Sequence, residues 1–162
     1  MRRVLSFAIA GLCVLFVSAA QAQAQTVVYT ATLSGSNEAP PVPATGAGGF
    51  ATVTVNMTTQ TIDWVVDVYN LPSGVTAAHI HAGGVGVAGP VVVNFTVPTN
   101  ASNDFRISGS ARAADVVARQ PQGVNTFEDL VQAMATGHAY VNVHTQVNGG
   151  GEIRGQLVAR QP

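Results

Sequence analysis

From residue 26 onward, apolar side chains recur at every second position, and that period of two constrains this chain more than any other feature. Val27, Tyr29, Ala31 and Leu33 alternate with Val28, Thr30 and Thr32. Ala51, Val53, Val55 and Met57 alternate with Thr52, Thr54 and Asn56, and Ile62, Trp64, Val66 and Val68 with Asp63, Val65, Asp67 and Tyr69. Successive side chains of a strand point to opposite faces, so each run reads as a strand with one buried face and one Thr-rich face. Trp64, in the clearest of these runs, is the expected core anchor.

Turn chemistry separates the runs. Thr58-Thr59-Gln60 and Leu71-Pro72-Ser73-Gly74 reverse the chain, proline presetting φ and glycine tolerating its positive value. Val75 to His81 is extended, a loop with four glycines runs from Gly83 to Gly89, and Pro90 to Val97 is expected to return as a hairpin partner. Phe105, Ile107 and Gly109 continue the alternation. One segment departs from it: Phe127, Leu130, Val131 and Met134 have helical spacing. Asn125 with Glu128 three residues later predicts its capped start, Asp129 suits the first turn, and Gly137 suits the residue after its end. After it, Ala139, Val141 and Val143 face one way, and His138, Tyr140, Asn142 and His144 the other. Ile153, Gly155 and Leu157 end the pattern. Seven or eight short strands with one helix predict a mainly β domain, an antiparallel sandwich or barrel.

The first residues have a different logic. Met1-Arg2-Arg3 is basic, Val4 to Ala20 carries no charge, and small residues stand two apart at Ala20-Gln21-Ala22 and Ala22-Gln23-Ala24. This is the pattern of a cleaved secretory signal. The apolar run is shorter than the ~20 residues that a membrane span needs, and no stop-transfer flank follows. The expectation is a signal peptide over residues 1–24 and one β domain over residues 25–162, with no membrane span after cleavage. Cys13, the only cysteine, goes with the signal. The exported domain is then without disulfide, cysteine nucleophile or thiolate ligand, and its apolar core must hold it.

Charge excludes some partners. There is no lysine, and loss of Arg2 and Arg3 leaves five Arg against eight Asp and Glu. The counterion release that drives nucleic-acid binding has almost no source here, and adhesion to anionic lipid is disfavoured on the same ground. Catalytic signatures are thin. There is no G-x-S-x-G elbow, Ser34, Ser108 and Ser110 have no placed base, and Asp63 and Asp67 are too far apart along one strand to act as a pair.

The histidines carry more information. In Ala78-His79-Ile80-His81-Ala82 the two imidazoles fall on one face of a strand, a spacing that suits two nitrogen ligands on one copper or zinc ion. If the strand containing His144 forms a hairpin with the one after Gly151, His144 and Glu152 meet at its loop end. Four candidate ligands result: His79, His81, His144 and Glu152. A second reading stands beside this one, in which the same residues form a hydrogen-bonded polar cluster that pins the Gly-rich loop, with His144 accepting from a loop amide and Glu152 pairing with Arg154. His138 lies ~20 Å from His144 along an extended strand and is assigned to the helix end.

The order of motifs resembles the CHRD (chordin) domain family. The likeness is carried by Tyr29-Thr30-Ala31-Thr32-Leu33-Ser34-Gly35-Ser36-Asn37-Glu38-Ala39-Pro40-Pro41-Val42, by Ala44-Thr45-Gly46, and by His79-Ile80-His81 with Gly89-Pro90. It ends with Tyr140-Val141-Asn142-Val143-His144-Thr145 and Gly151-Glu152-Ile153-Arg154-Gly155-Gln156-Leu157. It spans about residues 26–158. One departure is Asn148-Gly149-Gly150, where the family usually has Asn-Pro; it implies a freer loop before Glu152. The resemblance implies an all-β fold, an extracytoplasmic location and a role in binding. The domain occurs in the developmental antagonist chordin, which binds growth factors, and as a free-standing secreted protein in bacteria. More distantly, the H-x-H strand is similar to the copper-ligand strand of Cu/Zn superoxide dismutases, whose disulfide cysteines this chain lacks.

The expectations are therefore an immunoglobulin-like or Cu/Zn superoxide dismutase-like β domain with one short helix, exported and of the non-enzymatic binding type. Its partner would be an extracytoplasmic protein or a metal ion, copper or zinc. The alternative is a Cu/Zn metalloprotein with redox activity.

Overall fold

The computed structural model describes residues 25–99 and 103–160; the signal segment expected over residues 1–24 lies outside the described residues. The alternating runs form strands: β1 (Thr26–Ser34), β2 (Gly48–Asn56), β3 (Thr61–Tyr69), β4 (Val75–Ala82), β5 (Val91–Phe95) and β6 (Phe105–Arg112). Helix α1 (Phe127–Ala135) precedes β7 (Ala139–Thr145), β8 (Ile153–Gln156) and the short β9 (Val158–Ala159). All pairings are antiparallel, in the order β5-β4-β7-β8-β1-β2-β3-β6, with β9 beside β1. The sheet curls into a nearly closed barrel, in agreement with the expected mainly β class.

The two edge strands, β5 and β6, meet across a seam that side chains fill. Trp64 on β3 stacks on Phe95 of β5 with ring centroids 4.3 Å apart. The indole has room because its cross-strand partner is Gly109, where an added Cβ would lie 2.6 Å from Trp64 Cζ2. Val117 N donates to Val92 O at 2.9 Å beside the same seam. Inside, Val53, Val55, Ile62, Val66, Ile80, Val141, Val143 and Ile153 are completely buried. With no disulfide among the described residues, this apolar burial, at ~25 cal/mol per Å², is the main stabilising term.

Helix α1 buries Phe127, Leu130 and Met134 against the barrel, as the spacing predicts. Its start differs by one residue from the expected one. Thr126 is the cap, its hydroxyl accepting from Asp129 N while Asp129 accepts from Thr126 N and Asn125 N. Glu128 instead accepts from the Gln60 side chain at 2.7 Å. Thr126 offers an equally good cap, one position closer to the apolar stripe, and Asp129 in the third helical position completes the reciprocal pair. At the other end Gly137 has φ 73°, as expected for the residue that unwinds a helix.

One sheet region breaks the rule of one buried and one wet face. All seven residues of β7 are buried. Its inner face, Ala139, Val141 and Val143, joins the core, and its outer face, Tyr140, Asn142 and His144, lies beneath loops. Those loops are residues 35–47, 83–90 and 146–152, and under them sits the polar cluster.

Candidate functional site

Register determines who meets whom beneath the loops. Across β4 and β7, Ala77 faces His144, His79 faces Asn142, and His81 faces Tyr140. Across β7 and β8, Asn142 faces Arg154 and Tyr140 faces Gln156. Directly opposed residues of an antiparallel pair share a face. The three imidazoles, the phenol, the amide and the guanidinium therefore stand on one side of three adjacent strands.

The histidines converge. The nearest nitrogens of His79, His81 and His144 all lie within 4.8 Å of one another. Three points no farther apart than this lie within about 2.8 Å of a common centre, near the ~2 Å length of a metal–nitrogen bond. His79 Nδ1 is 3.1 Å from His144 Nε2.

Backbone carbonyls fix which nitrogen faces inward. His81 Nδ1 lies 2.8 Å from Gly89 O, and His144 Nδ1 lies 3.0 Å from Gly149 O. A carbonyl can only accept, so each Nδ1 carries its proton and each Nε2 keeps a lone pair. His144 Nε2 then accepts from His79 Nδ1. His81 Nε2 is buried with no hydrogen-bond partner at all. A ring nitrogen pinned by a carbonyl with its other nitrogen left open is the arrangement that orients metal-binding histidines.

Burial keeps the three imidazoles neutral. Burial pushes His79 down to about 4, helped by the neighbouring His144 and His81. His81 is also pushed down to about 4 by burial, with the Gly89 carbonyl opposing and His144 and Arg154 assisting. Burial lowers His144 as well, against the pull of the Gly149 carbonyl. Neutral imidazoles are what a borderline divalent cation requires.

Glu152, the fourth residue in the sequence-derived set, is fully buried at the loop end of the β7–β8 hairpin but is not one of this converging group. Its Oε2 accepts from Thr145 Oγ1 at 2.8 Å and from Asn148 Nδ2 at 2.6 Å. Burial alone would raise its pKa; bonds from Thr45, Asn148 and Thr145 outweigh that and hold it below the ordinary value. The carboxylate thus staples the 145–148 turn, next to the Gly149 carbonyl that orients His144. The Asn148-Gly149-Gly150 stretch, where the sequence implied a freer loop, follows directly on that stapled turn. His138 stands apart at the helix end, with Nδ1 3.1 Å from Thr136 Oγ1.

Four residues beneath the loops were not among the candidate ligands. Arg154 is 2% exposed; it donates to Gly84 O at 2.7 Å and Val87 O at 2.9 Å, and its Cζ lies over the Tyr140 ring. It does not pair with Glu152. Tyr140 stacks on His81 with centroids 4.9 Å apart and accepts from Gly89 N. Asn142 Nδ2 reaches Glu38 Oε2 at 3.5 Å. Glu38 is itself buried; desolvation lifts it to about 7, against the opposing influence of Arg154 and Asn142. A signal for Tyr140 and Asn142 was present, since both fall on the His144 face by parity. Glu38 and Arg154 lie on other elements, and only the register brings them in. Beside them a cavity of about 590 Å³ opens between residues 36–41 and 85–88, with Glu38, Arg154 and Gln156 in its wall.

Comparison with known proteins agrees with the motif order. The model of the CHRD domain matches residues 29–157. No curated protein and no solved structure gives a significant match.

Proposed function

The chain belongs to the CHRD domain family, a family of typically extracellular domains of the binding and interaction type, and from that premise we propose that it is an exported CHRD domain whose working centre is a transition-metal site formed by His79, His81 and His144. Export follows the signal over residues 1–24, leaving residues 25–162 as the mature domain in the secreted or periplasmic space. Among the described residues no helix is long and apolar enough to cross a membrane.

The observation that carries the proposal is the convergence of three imidazole nitrogens within 4.8 Å of one another, two of them with their Nε2 lone pairs turned inward by backbone carbonyls. A polar cluster built only to pin the loop would have used His81 Nε2. Leaving a buried acceptor unpaired costs ~1–3 kcal/mol, which a bound cation would recover. An all-imidazole donor set without thiolate suits zinc and copper, and the ordinary order of divalent affinities places copper first. Glu152 supports the centre from outside, through the turn that positions Gly149.

Calorimetric titration of the purified processed protein with Cu²⁺ and Zn²⁺ tests this. The expected result is one equivalent bound, with affinity reduced at least ~100-fold in each of His79→Ala, His81→Ala and His144→Ala, because ligands that act together are lost together. Heats equal to those of a histidine-free control protein would overturn it.

A further inference from the structure

We infer that Asn142 contributes an oxygen donor to the same centre, with Glu38 as the positioning residue that sets its amide. This rests on the metal reading above and adds to it a ligand that is neither histidine nor carboxylate.

The strand order supplies the first part of the argument. β7 lies between β4 and β8, and Asn142 occupies its middle, opposite His79 on one side and Arg154 on the other. Along β7 it stands between Tyr140 and His144 on the same face. The short amide is therefore flanked by all three imidazole columns: His79 across from it, His144 two residues along, and His81 across from Tyr140.

The amide's orientation supplies the second. Nδ2 reaches Glu38 Oε2. A Cβ at Gly151 would lie 2.8 Å from Asn142 Nδ2 and 2.6 Å from Glu38 Oε2, so the nitrogen arm runs toward the β8 side of the strand. In that bond the amide nitrogen is the donor, which assigns the arm facing Glu38 as NH₂. The two arms of an amide diverge by roughly 120°, as sp² geometry demands, so Oδ1 does not share the Glu38 contact. That oxygen is buried and has no partner.

Among the described residues Asn142 Oδ1 and His81 Nε2, on neighbouring strands and the same sheet face, are buried without donors, as are Glu38 Oε1 and Glu152 Oε1 in the layer around them. Orphaned acceptors in a buried site call for an explanation, and one cation answers the first two. An amide carbonyl is a neutral oxygen ligand, and an amide oxygen is found as the weak axial donor in copper sites whose other ligands are imidazoles and a thiolate. Gly151 belongs to the same arrangement. With φ 141° and no side chain, it leaves Nδ2 and the Glu38 carboxylate the space they share.

The test is copper titration with electron paramagnetic resonance on the processed protein and on Asn142→Ala, Asn142→Asp and Glu38→Gln. Asn142→Ala is expected to keep one equivalent of Cu²⁺, to bind it about ten-fold more weakly and to shift the parallel hyperfine splitting. Asn142→Asp, which puts a carboxylate oxygen in the same place, is expected to bind more tightly than wild type even though its new charge faces Glu38. A purely structural amide would lower thermal stability in both variants and leave affinity and spectrum unmoved, and that result overturns the inference. If Asn142→Ala does not fold, as judged by circular dichroism, Asn142→Asp decides alone. Metal bound by wild type, lost in the histidine variants and indifferent to Asn142 rejects this donor while keeping the centre. No metal bound by wild type rejects both.

Discussion

The guanidinium carbon of Arg154 lies 3.4 Å from the centroid of the Tyr140 ring, and the same ring stacks on His81. Arg154 also donates to Gly84 O and Val87 O, so one buried cation holds both the aromatic stack and the Gly-rich loop. Gly89, at the end of that loop, orients His81. The chain of contact from Arg154 to the imidazole is thus continuous.

Arg154→Ala removes the donors for two loop carbonyls and the cation above Tyr140. The expected cost is about 3 kcal/mol, the range for deleting one member of a buried charged network. Arg154→Lys is expected to recover less than half, because an ammonium cannot span both carbonyls while lying flat on the ring. Urea denaturation measures the loss, and hydrogen exchange of the Gly84 to Gly89 amides is expected to accelerate. The comparison is Arg106→Ala. Its bond to Asp67 is short, at 2.6 Å, but both partners are largely exposed and screened by solvent, and the expected loss is much smaller than for Arg154→Ala.

A second prediction concerns the seam of the barrel. An added Cβ at Gly109 would sit 2.6 Å from Trp64 Cζ2 and 2.9 Å from Cε2. Gly109→Ala must push the indole off Phe95 or bend β6, and overpacking of this kind costs ~1–3 kcal/mol. The single tryptophan reports on it directly. Its fluorescence is expected to change in Gly109→Ala together with a lower urea midpoint, while an unchanged spectrum and midpoint would show that the seam adapts freely.

Much of this architecture was legible because period two persists through β1, β2 and β3, where one face is wet. Ala51, Val53 and Val55 on β2 and Ile62, Trp64 and Val66 on β3 fall inside where parity places them. The helix was legible from Phe127, Leu130 and Met134, but its cap was misplaced by one residue, because Asn125 and Thr126 are both good caps and only the packed stripe chooses. The histidines were legible as a set since His79 and His81 share parity within one strand and His144 lies on a strand that pairs with theirs. What could not be read was the second layer. Alternation on β7 predicts a wet outer face, whereas three loops cover it. Glu38 and Arg154 are far apart in sequence and enter only through the β8–β1 neighbourhood and the loop after β1. Glu152 was legible as a residue near His144, but the bonds it accepts depend on a turn whose geometry no alternation encodes.

A third prediction follows from the pinned imidazoles. Tyr140→Phe keeps the ring beside Arg154 and His81 but deletes the hydroxyl that receives Gly89 N at 2.9 Å and donates to Gly89 O at 3.3 Å. The stability cost is expected to be about 1–2 kcal/mol, that of two hydrogen bonds with the Gly89 donor left behind. Loss of this anchor loosens the carbonyl that fixes His81, so copper affinity is expected to fall several-fold with no change in stoichiometry. A calorimetric titration reads both quantities, and an affinity equal to wild type would mean that Gly89 is held by other contacts.

The last prediction is the pH dependence of the metal-free protein, where two kinds of buried group act in opposite directions. His79 and His81 titrate at about 4 in the folded chain and near their ordinary value of 6.5 when unfolded. Between those values the unfolded chain binds more protons, so their contribution is complete above about 6.5 and is lost as pH falls toward 4. Glu38 behaves in reverse. Burial raises it from 4.5 to about 7, with Arg154 and Asn142 opposing and Glu152 reinforcing, so its contribution is complete below about 4.5 and is lost as pH rises through 7. With two imidazoles and a third lowered in the same direction against a single carboxyl, the acid loss dominates. The urea midpoint is expected to fall steadily from pH 7 to pH 4.5. Glu38→Gln removes the opposing group. Relative to wild type it is expected to gain about 2 kcal/mol on going from pH 5 to pH 8, because only at the higher pH does wild type hold a buried ionised carboxylate. Equal differences at the two pH values would mean that Glu38 is ionised throughout, with Arg154 compensating its charge in full.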